Sequence, residues 1–150
     1  IPTGEISQVK GTPMDLRSKR TLGKVIHRDH PQIDIGKGLN QNFVLDKNPD
    51  SEDWAADLYA PSSGIRMKLY TDQPCIQCYT SGYLDDSTKG KNDQIYWPHD
   101  AICLEPQQFP DAPNQSNFPT PLLHPGEKYS STIKLDFSRE SEPPSTNNIR

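Results

Sequence analysis

Apolar residues are scarce in this chain. Hydrophobic types make up 31% of its 150 residues, against roughly 45–50% apolar in ordinary domains, a class that also counts Gly. No long apolar stretch occurs, which excludes a membrane-spanning helix. No basic run stands out either: 16 Lys plus Arg stand against 20 Asp plus Glu, a net charge of -4. Nothing in that balance points to nucleic acid or an anionic membrane as a partner. The chain opens on "IPTGEI" without a Met and without the charged and apolar regions of a leader peptide. The expectation is a processed chain or a fragment.

An even cysteine count is also lacking. Cys75, Cys78 and Cys103 cannot form a fully paired intrachain set. "PCIQC" has the C-x-x-C spacing, but no second pair and no βαβ context follow, so buried free thiols are expected. Positions three apart on a strand point to opposite faces. No metal site is expected, because "HRDH" at His27 and His30 has no further ligands at zinc spacing. "NQS" at Asn114 is a glycosylation sequon, relevant only to a secreted protein.

What is present is a series of short strand-like runs. "NFVLD", "WAADLYA", "IRMKLYT", "CIQCYTSGYL", "DAICLE" and "YSSTIKLDF" mix or alternate apolar and polar residues and favour Val, Ile, Tyr, Phe and Thr. Between them lie "DKNPDSED", "PSSG", "DDSTKGKND" and "LHPGEK", all turn-forming. "PMDLRSKRTLGKVI" allows at most a short helix. Residues 139–150 read as a polar, exposed C-terminal tail. Many short strands imply an all-β sandwich or barrel-like fold. With 15 Pro, the chain is lean for an independent core, yet its low charge and strand patterning argue against disorder. It is expected to pack against something else, as part of a domain.

One stretch calls for chemistry: "ICLEPQQFPDAPNQSNFP", Ile102 to Pro119. Glu105 lies where an apolar strand gives way to a loop. Pro106, Pro110, Pro113 and Pro119 are expected to prevent regular structure there, since each lacks an N–H and fixes φ. Loops held by a rigid scaffold are where function concentrates. The bland alternative is a solvated Glu at a strand end.

Several stretches, in order, resemble the aldose 1-epimerase (galactose mutarotase) family. They are "IPTGEI", "GTPMDLR", "GLNQNFVLD", "SSGIRMKLYTDQPCIQCYTSGYL", "CLEPQQFPDAPNQSNFP" and "LLHPGEKYSSTIKLDF". Together they span nearly all of residues 1–138. The resemblance implies a large β-sandwich of the galactose mutarotase-like type, with this chain roughly its C-terminal half. The complementary N-terminal half is then the implied partner, as a separate chain or an omitted segment. It also implies an aldohexose such as glucose or galactose as substrate, interconverted between anomers by acid–base ring opening.

Residue by residue, Glu105 matches the family's catalytic base, in L-E-x-Q with "FPDAPN" behind it. A general base works best where partial burial tunes it toward working pH. Gln77 matches a sugar-contacting glutamine, whose amide offers both donor and acceptor. Asn40 stands where the family has a sugar-binding aspartate, and Gln41 where a histidine follows it. Gln107 and Asp111 are candidates to support the pocket by orienting the loop. Tyr79 and Phe109 either line the pocket or serve ordinary packing. The family's acid is a histidine of the N-terminal half; His27, His30, His99 and His124 do not match it, and the "HRDH" pair is expected to face solvent. No cofactor is expected, since proton shuttling alone accomplishes the reaction.

Replacing a carboxylate by Asn40 exchanges charge-assisted hydrogen bonds for neutral ones, a loss of about 1–2 kcal/mol. A catalytically weakened or inactive carbohydrate-binding homologue is therefore the alternative reading. A storage or secreted protein reusing the fold is a third, since fold does not fix function. The family resemblance implies a cytoplasmic location; the sequon and a processed start favour secretion.

Overall fold

The computed structural model describes residues 1–46 and 54–140. Most of the tail, residues 139–150, and most of the "DKNPDSED" turn lie outside the described residues. Among the described residues the architecture is all-β, with two short α-helices, α1 (Leu22–Val25) and α2 (Pro31–Gly36). Six strands follow: β1 (Asn40–Val44), β2 (Ala56–Ala60), β3 (Ile65–Thr71), β4 (Cys75–Tyr79), β5 (Cys103–Gln107) and β6 (Ile133–Arg139). They form two antiparallel sheets, ordered β1-β4-β5 and β2-β3-β6.

Each of the six strand-like runs overlaps a strand, and only one keeps its bounds. "IRMKLYT" coincides with β3, whereas "CIQCYTSGYL" is extended only through Tyr79. The last strand reaches Arg139, and the Glu140 N–H donates to Gly64 O (2.8 Å). Pro106 is a correction to the sequence reading. It lies inside β5, opposite Ile76. β5 is an edge strand of its sheet, and on an edge a missing N–H costs no ladder bond when it faces outward.

Helix α2 was not anticipated either. Pro31 occupies its first turn, where the missing N–H would be unpaired anyway. His30 caps it, its Nδ1 accepting from Gln32 N at 3.2 Å. Of the two "HRDH" histidines expected in solvent, His27 is exposed but His30 is thus engaged. Lys37 ends the helix in the left-handed region (φ 47°). The turn after β4 closes onto it so tightly that a Cβ at Gly82 would lie 1.7 Å from Lys37 O. Tyr83 completes the contact, with its hydroxyl donating to Ile35 O (2.6 Å) and the Lys37 ammonium 4.7 Å over its ring.

One apolar cluster draws on both sheets. Phe43, Ile76 and Cys78 come from the first, Ala56 and Leu69 from the second, with Met14, Leu16, Val25, Ile33 and Leu39 beneath. Gln73 is buried between the sheets. Its Nε2 donates to Ser131 Oγ (2.9 Å), and its Oε1 accepts from Gln108 Nε2 (3.2 Å).

On the second sheet, Asp57 is buried and takes a two-pronged bond from Arg66, with Nε at 2.9 Å and Nη2 at 2.5 Å. Arg66 also reaches Glu140 (3.1 Å). Asp57 raises the Arg66 guanidinium further above its usual range. Removing one partner of a buried pair strands the other charge. Arg66→Met is expected to lower unfolding stability by about 3 kcal/mol, read from the denaturant midpoint.

Asp72 supplies a pH dependence. Burial pushes its carboxyl up, but bonds from Thr132 N–H, Gln73 Nε2 and Ser131 Oγ outweigh that and hold it below the ordinary range. A depressed folded value means the stabilisation is complete above the unfolded pKa of about 3.9 and is lost as pH falls through the folded one. Stability measured between about pH 5 and pH 3 should therefore fall less steeply in Asp72→Asn than in the parent.

Candidate functional site

The first sheet has one closed face and one open face, because successive side chains alternate. Gln41, Phe43, Ile76, Cys78, Leu104 and Pro106 point to the core side; Phe43, Ile76 and Cys78 are buried. The register puts three rows on the open side: Asn40–Tyr79–Cys103, Asn42–Gln77–Glu105 and Val44–Cys75–Gln107. Directly paired residues share a face. Three of the positions singled out from sequence, Asn40, Gln77 and Glu105, therefore meet on one surface.

Gln77 is the hinge of that group. It sits on the central strand directly opposite Glu105, and its Nε2 donates to Asn40 Oδ1 at 2.7 Å. Asn40 in turn lies next to α2: its backbone N–H donates to Gln41 Oε1 (2.8 Å), while Gln41 Nε2 donates to Gln32 O (2.9 Å). Gln41 thus ties the start of β1 to the helix. With strands about 4.8 Å apart, Asn42 and Glu105 stand roughly 10 Å apart across the sheet, a span that one pyranose with its hydroxyls can bridge.

Glu105 and Asn40 are exposed and Gln77 half-buried. Partial burial of the carboxylate, expected from sequence, is not supplied by this chain. Asn42, which sequence reasoning passed over, belongs to the same row. Its Nδ2 is buried and has no hydrogen-bond partner. Only the sheet register could reveal it, since an asparagine one step from a strand end is unremarkable in sequence.

The supporting positions divide. Gln107 shares the open face two residues beyond Glu105. Tyr79 lies there too, its hydroxyl accepting from Tyr83 N (3.0 Å). Asp111 orients the loop: it is in the left-handed region (φ 60°) and accepts from Asn114 Nδ2 (2.5 Å) and Gln115 Nε2 (3.0 Å). Those two bonds hold its carboxyl below the ordinary range. Phe109 packs against Phe118, ring centres 4.6 Å apart. The loop is pinned to the chain's start, with Asn117 Nδ2 donating to Gly4 O (3.1 Å).

The histidines lie elsewhere. His99 bonds Thr80 O through Nδ1 (2.9 Å), with His27 edge-on to it at 6.1 Å. Both line an open hollow of about 540 Å³ with Asp34 and Lys37. Glu105 is not among its lining residues. Among the described residues, no group of three or more His, Cys, Asp or Glu could hold a metal, and no helix is long and apolar enough to cross a membrane.

Comparison with known proteins bears on this face. The profile of the family described as aldose 1-epimerase matches residues 1–136. The chain is 42% identical over 138 residues to a galactose mutarotase from Homo sapiens, covering 92% of this chain and 39% of the relative. It is 30% identical over 142 residues to an aldose 1-epimerase from Escherichia coli K12, covering 93% and 40%. Among solved structures, a GalM/aldose epimerase homologue from C. elegans superposes with a TM-score of 0.78 at 33% identity, over 92% of this chain and 40% of that one. A galactose 1-epimerase from Lactobacillus acidophilus gives 0.73 at 26%, over 89% and 37%. The chain thus spans about two fifths of the length of these relatives.

The cysteines report exposure residue by residue rather than face by face, since Cys75 shares the face of Glu105 and is nevertheless fully buried. All three are free. Cys75 and Cys78 are buried, and burial raises their thiols to about 11 and about 12. These are the buried free thiols expected of "PCIQC"; Cys103 is exposed, on the face of Glu105. Thiolates are the reactive form. A disulfide reagent at pH 8 should therefore label one thiol rapidly in the native chain and three after unfolding. Rapid labelling of all three in the native state would refute the burial of Cys75 and Cys78.

Proposed function

The chain belongs to the aldose 1-epimerase family, and from that premise we propose that its Asn40–Gln77–Glu105 face is the carboxylate side of a mutarotase site. The observation that carries the proposal is the register that sets Glu105 opposite Gln77, with Gln77 bonded to Asn40. A catalytic carboxylate and two amides on neighbouring strands suit a polyhydroxylated ring: the carboxylate accepts a proton, and the amides both donate and accept.

In this reading an aldohexose such as glucose or galactose lies over the sheet. Glu105 takes the proton of the C1 hydroxyl as the C1–ring-oxygen bond breaks, its electron pair going to the ring oxygen. An acid opposite protonates that oxygen. The open-chain aldehyde turns about C1–C2, and reclosure with the proton transfers reversed yields the other anomer. Atoms balance without any cofactor. As the family resemblance implies, the acid is a histidine of the remaining part of the fold; no histidine of this chain lies on β1, β4 or β5. Residues 1–138 are then the C-terminal part of the domain, working with the complementary part.

Asn40 favours a second reading, a sugar-binding homologue with weakened turnover. A neutral amide replaces the family's aspartate, and charge-assisted bonds are roughly twice as strong as neutral ones. The test is polarimetry of freshly dissolved α-D-glucose and α-D-galactose with this chain co-produced with the complementary part of the human relative. Acceleration is expected, reduced at least about a hundredfold in Glu105→Gln and raised in Asn40→Asp. Sugar binding without acceleration, even in Asn40→Asp, would replace the enzyme reading with the binding one.

A further inference from the structure

The charge balance of the whole chain conceals a local one. Residues 10–28 hold six of the 16 Lys and Arg but one of the 20 Asp and Glu. That segment carries +5 in a chain of net charge -4, so the remainder carries -9. Asymmetry of this kind is a physical statement about partners rather than about fold. Charged residues are mostly solvated, so it is the geometry of the segment that decides what it can hold.

The segment folds into a hollow. Met14, Leu16 and Val25 are buried in the main apolar cluster, which fastens both walls, the 9–15 turn and α1, to the core. Val9 O accepts from Thr12 N (3.0 Å) and from Thr12 Oγ1 (2.7 Å), and Thr12 Oγ1 accepts from Met14 N (3.2 Å). Those bonds fix the turn. Between the walls lies a concavity of about 530 Å³ lined by Asp15, Lys19, Arg20, Thr21, Lys24 and Arg28, a size suited to a small molecule. Asp15, the one acid among the lining residues, is already engaged. Arg17 grips it with Nε and Nη2, both at 2.9 Å, and its carbonyl accepts from Arg20 Nε (3.4 Å). The Arg17 fork holds the Asp15 carboxyl down at about 2. Lys19, Arg20, Lys24 and Arg28 therefore surround the hollow with no second carboxylate among its lining residues. Like charges so gathered repel one another, and an anion lodged among them relieves that repulsion.

We propose that this hollow binds a small organic phosphate carrying two or more negative charges. Guanidinium groups match phosphate oxygens two at a time, and ammonium groups act as compact point charges; the hollow offers two of each. Thr21 adds a hydroxyl that makes no cap bond to α1. The surroundings select a compact ligand. An extended polyanion would run off the hollow onto a remainder of the chain that carries -9 and repels it. Glu105 is not among the lining residues, and the inference does not rest on the mutarotase reading.

The experiment titrates sodium pyrophosphate into the 150-residue chain at physiological salt, about 0.15 M. Calorimetry reads affinity, and amide NMR shifts read location. Saturable binding is expected, with shifts gathered in residues 11–28. Lys24→Ala together with Arg28→Ala should weaken it at least about tenfold, and Lys24→Glu together with Arg28→Glu should abolish it. Lys91→Glu, outside the lining, should leave it unchanged. Succinate, a dicarboxylate, should bind at least about tenfold more weakly than pyrophosphate. Lys24, Arg28 and Lys91 are exposed, and the amide spectrum of each variant shows whether the fold is kept; should it be lost, the shift map of the unsubstituted chain decides alone.

No saturable binding, shifts scattered over the surface, or an affinity indifferent to both double substitutions would overturn the inference. Equal affinity for succinate would overturn it as well, since that marks charge without phosphate recognition. Phosphatidylserine vesicles or a single-stranded oligonucleotide captured through Lys24 and Arg28, with pyrophosphate unbound, would assign the surface to a macromolecule instead. Glu105→Gln should bind pyrophosphate as the parent does, so loss of the catalytic reading leaves a different signature from loss of this site.

Discussion

The position of β4 between β1 and β5 is the constraint from which the rest of the first sheet follows. Five consecutive residues pair on each side, from Cys75 to Tyr79. A one-residue slip would send Ile76 and Cys78 to solvent and Gln77 into the apolar cluster, since the side-chain period is two. Burial of Ile76 and Cys78 therefore holds Gln77 and Glu105 on the opposite side. The polar site is positioned by the apolar contacts behind it.

Supports outside the strands carry the same register to the ends of the sheet. Beyond the last paired residues the Thr80 N–H donates to Leu39 O (2.9 Å), and Thr80 Oγ1 accepts from Leu39 N (3.0 Å). Gln41 fastens β1 to α2, and Tyr83 fastens the turn after β4 to the same helix. At the other end Gln73 joins the loop after β5 to the segment before β6. Thr80 and Gln73 are buried, where an unmade bond would cost roughly 1–3 kcal/mol, whereas Tyr83 is exposed. These contacts align the sheets more than they stabilise them.

The low apolar content then has a structural meaning. The cluster shared by the two sheets is filled where α1, α2 and the first sheet cover it, and thins toward β6. An ordinary domain would have further apolar residues there; this one presents an apolar sheet face. Glu105 is exposed, and Asn42 Nδ2 is buried without a hydrogen-bond partner.

Residue pattern alone was enough for the strands, because alternation and turn residues are local properties. It also marked Glu105, Gln77 and Asn40 through motifs that resemble a family. It misjudged Pro106, because tolerance of a proline depends on whether its strand lies at an edge. It missed α2, whose capping by His30 is a side-chain contact, and left the exposure of Cys103 open, because a cysteine's type does not say whether it is covered. That Glu105 stands across from Gln77, beside Asn42, and that Ile133, Leu135 and Phe137 line one uncovered face, are facts of pairing between distant segments. By itself the sequence determined which residues could form strands and which could do chemistry; only the tertiary structure decided which of them meet, because strand register is set by long-range burial rather than by neighbours along the chain.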